Sequence, residues 1–483
     1  MRTMNLALLA PPARPAPRGP RSRYRSLVLL VALLGSIPAL AQGPAPLTVR
    51  DALARADALA YTNRVARGAA EEATAQTLAP LPGVLPSVRL ETGLVRTSDP
   101  IGAFGIAMRQ ERLTASDFDP SRLNDPAVAQ NVGTGLVIEQ PLFNADAWLG
   151  RRAATLGARS ARRSVAWSEA GTRVDVISAY YGAVLATVSA RTLRAAQAAA
   201  LEHARVATAL VENGMATRSD ALLASVRAGE IEVQRLAADA NVATARLALA
   251  NAMGTPGDTG FVLPEGLPEA PRLRALAERA LHAAPVPRAD VEAAQLASQS
   301  ARADHARARS LYLPRLNTVA RYDLNAPSRA FGSASNWTVM IMASWPLFSG
   351  GHEEAERRTA RAREDVAATR HEAAVATAEL EIARTTSELQ NALARLRIAD
   401  EAVAQSGEAQ RIVERKYAGG LASVVELLTA AAVETRSRLS AAEARHALLV
   451  AIASRLRAVG ADPLAITELD QASGEARDAS PGR

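Results

Sequence analysis

Two carboxylates stand at matching places in this chain. Asp220 closes the run Thr217-Arg218-Ser219-Asp220, and Glu426 closes Ser423-Val424-Val425-Glu426, 206 residues later. A hydroxyl three residues ahead of an acid is the pairing that caps a helix start: the hydroxyl takes one orphan backbone N–H and the acid reaches back to another. Just ahead of each acid lies a glycine turn, Asn213-Gly214-Met215-Ala216-Thr217 and Gly419-Gly420-Leu421-Ala422-Ser423, and Tyr417 stands shortly before Gly420. Glycine, hydroxyl and acid in this order predict tight helical hairpins, not a reaction centre. The six histidines (His203, His282, His305, His352, His371, His446) fall in separate segments, with none within a helical turn of another. Neither a phosphate-binding loop nor a G-x-S-x-G elbow occurs, so the sequence points to no enzyme and no cofactor. His352-Glu353-Glu354 is a loose metal pair at most and reads as a solvated helix face, so no metal site is expected.

These hairpins need a scaffold, and composition bounds it. The chain has 483 residues, 48% hydrophobic, 22% charged and only 4% aromatic, the balance of a folded protein. With alanine frequent and aromatics scarce, buried surface must be made of small side chains that let helices approach closely. The formal charge of +7 does not point to nucleic acid. Residues 1–41 hold six arginines (Arg2, Arg14, Arg18, Arg21, Arg23, Arg25) and no acid; without them 50 basic residues face 49 acidic ones. That leader reads as a secretory signal, with a positive first part, an apolar run from Leu27 to Gly35 and a small-residue site Ala39-Leu40-Ala41 before Gln42. The alternative, a membrane anchor, needs about 18 apolar residues; the run is shorter and Pro38 interrupts it. A start at Met4 changes nothing downstream. Zero cysteines exclude disulfides, and lipid attachment at a cysteine after the signal. No later segment has the length and apolarity of a membrane helix, so any crossing is made by strands.

Aligning the breakers shows two copies of one plan. "IEQPLFNADAW" around Pro141 matches "MASWPLFSGGH" around Pro346, and "ENGMATRSDALLA" matches "AGGLASVVELLTA". The division is a signal at 1–41, a first repeat at 42–254, a linker at 255–271, a second repeat at 272–463 and a loose polar tail at 464–483. Each repeat is expected to run helix, strand, loop, strand, very long helix, tight turn, helix. These elements fall at 47–79, 86–97, 131–142, 145–212, 213–217 and 218–253, and again at 272–312, 314–324, 336–347, 350–417, 418–422 and 423–459. The longest helices would each extend on the order of 100 Å. Leu389, Leu393, Leu396 and Val403 keep the spacing of a helix packed along a partner, which from the helices alone is equally that of a soluble coiled coil.

The strands separate these readings. Trp337, Val339, Ile341, Ala343 and Trp345 share one face, and Thr338, Met340, Met342 and Ser344 the other. Trp337 and Trp345 are roughly 27 Å apart along a strand, close to the height of a lipid-facing band with aromatics at both rims. Likewise Val132, Leu136 and Ile138 oppose Asn131, Gly133 and Glu139. Leu316, Ala320, Tyr322 and Leu324 oppose Arg315, Asn317, Arg321 and Asp323, and Val88, Leu90 and Leu94 oppose Arg89 and Glu91. Four strands cannot close a barrel, and an open edge in lipid leaves backbone groups unpaired at several kcal/mol each. Copies must therefore assemble, pairs giving eight strands and trimers twelve. Pro141 and Pro346 are expected to end their strands, and Gly350 and Gly351 to swing the chain into helix.

The duplicated plan, the "QPLF" and "WPLFSGG" junctions and the paired turns resemble the TolC-like outer membrane efflux proteins over essentially all of the mature chain. The resemblance implies a mainly α protomer with a membrane β-barrel, a trimer sharing a 12-stranded barrel above a periplasmic α-helical tunnel, with the linker at the tunnel's equator. It implies an exit duct of an efflux pump or type I secretion system in the outer membrane of a Gram-negative bacterium. Its partners would be a periplasmic adaptor, an inner-membrane transporter and membrane lipid. Glu426 and Asp220 fall on acidic positions of the periplasmic gate, with Tyr417 nearby, and the two turns become adaptor-binding tips. Thr429 stands where relatives can carry a further acid and Ala422 where a gate-linking arginine aligns. The first junction has Asn144-Ala145-Asp146 where the second has Ser349-Gly350-Gly351, so its bend would be made differently. The rival reading is a periplasmic coiled-coil adaptor or scaffold without a channel. Loop 98–130, longer than 325–335, would face outside the cell.

Overall fold

The computed structural model describes residues 47–469 apart from 329, 330, 332 and 333; the signal expected at 1–41 lies outside the described residues. The first repeat contains helices α1 (Val49–Leu59) and α2 (Tyr61–Ala75), strand β1 (Ser87–Thr97), helices α3 (Pro100–Arg109) and α4 (Pro120–Asn124), strand β2 (Ala129–Phe143), then helices α5 (Ala145–Glu212) and α6 (Arg218–Ala252). The second contains α7 (Ala270–Leu281), α8 (Ala289–Ser310), β3 (Arg315–Ala326), β4 (Ala334–Ser344), α9 (His352–Ala418) and α10 (Val424–Ala458). Helices α5 and α9 have 68 and 67 residues, and α6 and α10 have 35 each.

Each expected leading helix is in fact two. The first breaks at Ala60, whose ψ of 134° is extended, although its flanks favour helix. The cause lies at the end of α6: Gly254, at φ +76°, sits so close that a Cβ would overlap the Leu59 carbonyl. The second breaks between α7 and α8, where Pro285 and Pro287 forbid continued helix. There the Val286 N–H donates to the Val459 carbonyl at 2.8 Å, and a Cβ on Gly460 would come within 2.7 Å of the Val286 oxygen. Gly254 and Gly460 are again 206 residues apart.

Three further expectations need correction. The linker is packed, with Phe261 buried under the Arg246 guanidinium, 5.3 Å from the ring centroid, and α7 begins at Ala270, inside it. The tail is not loose at its start, because Pro463–Thr467 form a 3-10 turn capped by Asp462, with Ile466 and Leu469 buried in the main core. Loop 98–130 carries α3 and α4.

The main core lies at mid-length, where the repeats meet, and joins α1, α5, α6, α7, α9 and α10. Leu389 and Leu396 are fully buried in it, with Leu393 and Val403 packed alongside. The Tyr180 hydroxyl donates to the Leu47 carbonyl at 2.8 Å. Beside the core, buried Arg288 pairs with Asp290 and Glu381 at 2.8 and 2.7 Å. Arg288 and Arg457 both stack on Trp167, 4.5 and 3.8 Å from its centroid, which ties α5, α8, α9 and α10 together.

All four strands form one antiparallel sheet in the order β1-β2-β3-β4. Register decides whether the faces read strand by strand coincide, and they do. Leu90 pairs with Leu136, Leu136 with Tyr322, and Tyr322 with Trp337; Ile138 pairs with Ala320 and Ala320 with Val339. One face is thus apolar across the sheet. The other carries Arg89, Glu91, Glu139, Arg321 and Asp323, cross-linked by Arg321 to Glu91 at 3.4 Å and Arg89 to Glu139 at 3.5 Å.

Candidate functional site at the helical tips

Hairpins α5–α6 and α9–α10 turn at equivalent places. The Gly214 N–H donates to the Val211 carbonyl and the Met215 N–H to the Leu210 carbonyl, at 3.0 and 2.8 Å; Gly420 to Tyr417 and Leu421 to Lys416 repeat this at 3.0 and 2.7 Å. This pair of bonds closes a helix through a left-handed residue, and both glycines have φ +71°. Asn213 and Gly419 are the last residues before the turn, and Ala216 and Ala422 are half-buried under it. Met215 and Leu421, at 69% and 81% exposure, stand out at the two tips.

Directly after each turn the hydroxyl and acid form a reciprocal cap. The Thr217 N–H and hydroxyl both donate to Asp220 Oδ2 at 3.0 and 2.7 Å, and the Asp220 N–H donates back at 3.3 Å. Ser423 and Glu426 do the same, at 2.7, 3.1 and 3.3 Å. The Thr217 hydroxyl, then its N–H, holds the Asp220 carboxyl below its ordinary range. For Glu426 the Ser423 N–H leads, followed by the Ser423 hydroxyl, with a smaller pull from Lys416. Both acids are therefore ionised at neutral pH, Glu426 exposed and Asp220 half-buried. Tyr417 packs with Ala207, Ala224 and Val424 in a small core joining the two hairpins, and burial there raises its pKa, with the Asp220 charge adding to it.

At the strand–helix junctions the two repeats differ. Pro346 follows the end of β4, then Gly350 and Gly351, at φ +63° and +87°, turn the chain into α9. Pro141 does not end its strand: β2 continues to Phe143 through a register shift between Pro141 and Phe143. Asn144 then makes the bend without a left-handed residue, its amide 3.3 Å from Asn317 Oδ1. Trp337 and Trp345 are both exposed, and the Trp345 indole donates to the Tyr312 carbonyl at 3.0 Å.

Sequence reasoning missed the second glycine pair, Gly254 and Gly460, although aligning "NAMG" with "RAVG" by the same offset finds it. It also missed the Arg288–Trp167–Arg457 stack, whose partners come from distant segments without a local signal. Among the described residues no helix is long and apolar enough to cross a membrane, and no cluster of three metal-ligating side chains occurs.

Long paired helices, tight tips and a two-faced sheet define the fold of the outer-membrane channels, and the comparisons agree. Residues 280–461, most of the second repeat, match the family model described as outer membrane efflux protein, the family the junctions and turns resemble. A membrane protein from Pseudomonas aeruginosa superimposes with a TM-score of 0.72 at 18% identity, covering 86% of this chain and 93% of that one. The outer membrane protein VceC from Vibrio cholerae gives 0.70 at 18%, covering 86% and 96%. The Campylobacter jejuni CmeC outer membrane channel gives 0.70 at 16%, covering 89% of both chains. No curated protein sequence matches.

Proposed function

We propose that this chain is a homotrimeric outer-membrane channel. It serves as the exit duct of a tripartite efflux pump or type I secretion system, passive in itself and gated at its periplasmic tip. The observation that carries this is the sheet: one face apolar across the strands, the other carrying charges on β1, β2 and β3, with β1 and β4 left as edges. In lipid those edges must be paired, and β4 of one copy can run antiparallel to β1 of the next. Trp337 and Trp345 then sit at the rims of the lipid-facing band, and the Pro141 and Pro346 junctions lead into the tunnel.

At the far end, three copies bring three Asp220 and three Glu426 carboxylates around one axis. A ring of ionised acids favours cations, and Tyr417 fixes the hairpins that carry it. The tips Asn213–Thr217 and Gly419–Ser423 present Met215 and Leu421 outward, a surface suited to an adaptor that links the duct to an inner-membrane transporter.

The test is planar-bilayer conductance of the purified full chain. Expected are an oligomer that resists mild detergent, stepwise cation-preferring currents, and a reduced preference in Asp220→Asn/Glu426→Gln. An oligomer that inserts but passes no current in either form overturns the channel. A soluble monomer in the periplasmic fraction favours a coiled-coil adaptor instead.

A further inference from the structure

The pair Arg151-Arg152 recurs as Arg357-Arg358, at the same 206-residue offset as the tips. In the second repeat both guanidinium groups donate to Glu354, Arg357 at 2.9 and 2.8 Å and Arg358 at 2.7 Å. The first repeat has Trp148 at the place of Glu354, and this indole is 58% exposed. Among the described residues no carboxylate lies within ion-pair reach of Arg151 or Arg152, and both are exposed. The same two arginines are thus neutralised within one repeat and left without an anion in the other.

The first turn of α5 is tied to the end of the sheet. Asp146 pairs at 2.6 Å with Arg315, which stands on the charged face of β3 and opposite Ser344, one residue before Trp345. At 100° per residue, Trp148 lies about half a turn from Asp146 and within about a sixth of a turn of Arg151 and Arg152. With Asp146 turned to the wet side, these three side chains turn to the lipid side. Trp148 falls near the level of the Trp345 rim, and the arginines lie about 5 Å beyond it along the helix. Helices α2 and α8 of the same chain flank α5: the Ser160 hydroxyl donates to the Ala293 carbonyl of α8 at 2.7 Å, and Arg162 to the Thr74 hydroxyl of α2 at 3.5 Å. On its far side α8 packs on α9. A neighbouring copy therefore meets α2 or α9 and leaves this face of α5 open.

We infer that Trp148, Arg151 and Arg152 form a site for the phosphate of an anionic phospholipid in the inner leaflet, one to each chain. It rests on the outer-membrane channel proposed above. An indole favours the boundary between acyl chains and head groups, and the planar fork of arginine matches two phosphate oxygens. Basic side chains at that depth attract anionic head groups. The lipid supplies from outside the negative charge that Glu354 supplies from within the second repeat.

The probe is phosphatidylglycerol, titrated against the purified full-chain oligomer in mild detergent and counted by native mass spectrometry, with phosphatidylcholine of the same acyl chains as the zwitterionic reference. Phosphatidylglycerol should stay bound at activation that strips phosphatidylcholine, and inorganic phosphate should not displace it. Arg151→Gln/Arg152→Gln should weaken its binding about tenfold. Trp148→Glu, which puts the second repeat's carboxylate beside the arginines, should abolish the preference with both arginines still present. Arg159→Gln, exposed on the same face about 10 Å further from the membrane, should change nothing. All these side chains are exposed, and oligomer retention checks that each variant folds. Equal retention of the two lipids overturns the site, as does undiminished phosphatidylglycerol binding in the double variant or in Trp148→Glu. Equal weakening by Arg159→Gln, or displacement by inorganic phosphate, overturns it too, showing diffuse charge or a plain anion site. Any of these in an oligomer that still conducts leaves the channel standing, whereas a monomer that binds neither lipid takes both readings down.

Discussion

Glu426 spends one carboxylate oxygen on its own helix start, accepting from both the N–H and the hydroxyl of Ser423. The same atom that caps α10 therefore sets the charge at the tip. Because these bonds are made to the ionised form, the folded pKa lies below the ordinary 4.5. The stability they contribute is fully present above that value and is lost as pH falls through the folded pKa. Ser423→Ala removes the hydroxyl, the second cause, and leaves the leading N–H in place. It should destabilise the first turn of α10 by about 1 kcal/mol and raise the pH at which protonation erodes cation preference. Bilayer reversal potentials measured down a pH series report this, and a profile identical to that of the unaltered chain would rule out Glu426 as the selective charge. Asp220 gives the parallel expectation with Thr217→Ala, where the hydroxyl leads and the effect of its loss is direct.

At the scale of elements, two glycines with nearly the same dihedral carry different burdens. Gly214 has open space where a Cβ would stand, whereas Gly254 faces the Leu59 carbonyl. Gly214→Ala should cost only the left-handed penalty, about 1 to 2 kcal/mol. Gly254→Ala adds a backbone collision and should lower the thermal midpoint well beyond that; equal midpoints by calorimetry would show that the contact does not hold the α1–α2 break. The contrast also shows what the sequence could and could not tell. The repeat, the tip turns and the long helices were legible because periodicity and breakers are local, and the strand faces because alternation is local. The break at Ala60 was not, since alanine among helix formers carries no signal and its cause sits at the far end of the repeat. Ile466 and Leu469 were likewise read as tail because a short segment shows no period. For the candidate site, the caps were written in S/T-x-x-D/E, while the Tyr417 core needed both hairpins in place.

At the scale of the whole molecule, the repeat makes its own rule for assembly. In the second repeat, Leu428, Ala432, Thr435, Leu439 and Ala442 form a stripe of steps 4, 3, 4 and 3 on α10, covered to varying degrees, and α10 packs on α5. Their counterparts 206 residues earlier on α6 are Leu222, Val226, Gly229, Val233 and Leu236, and all five are exposed. A seam of that spacing belongs against another helix. By the repeat, the partner equivalent to α5 is α9, supplied by the next copy just as β4 supplies an edge to the next β1. Each apolar side chain so covered contributes about 1.5 to 3 kcal/mol, repeated at every interface around the ring, so a charge placed in the seam should be felt several times over. Leu222→Glu/Val233→Glu is expected to abolish the detergent-resistant oligomer while leaving helix content by circular dichroism unchanged, because these side chains touch little of their own protomer. Gln234→Glu, exposed on the same helix a third of a turn from the stripe, should leave the oligomer intact. If the stripe variant still migrates as the oligomer, the seam lies elsewhere and the rule that the second repeat foretells the contacts of the first is wrong for this chain.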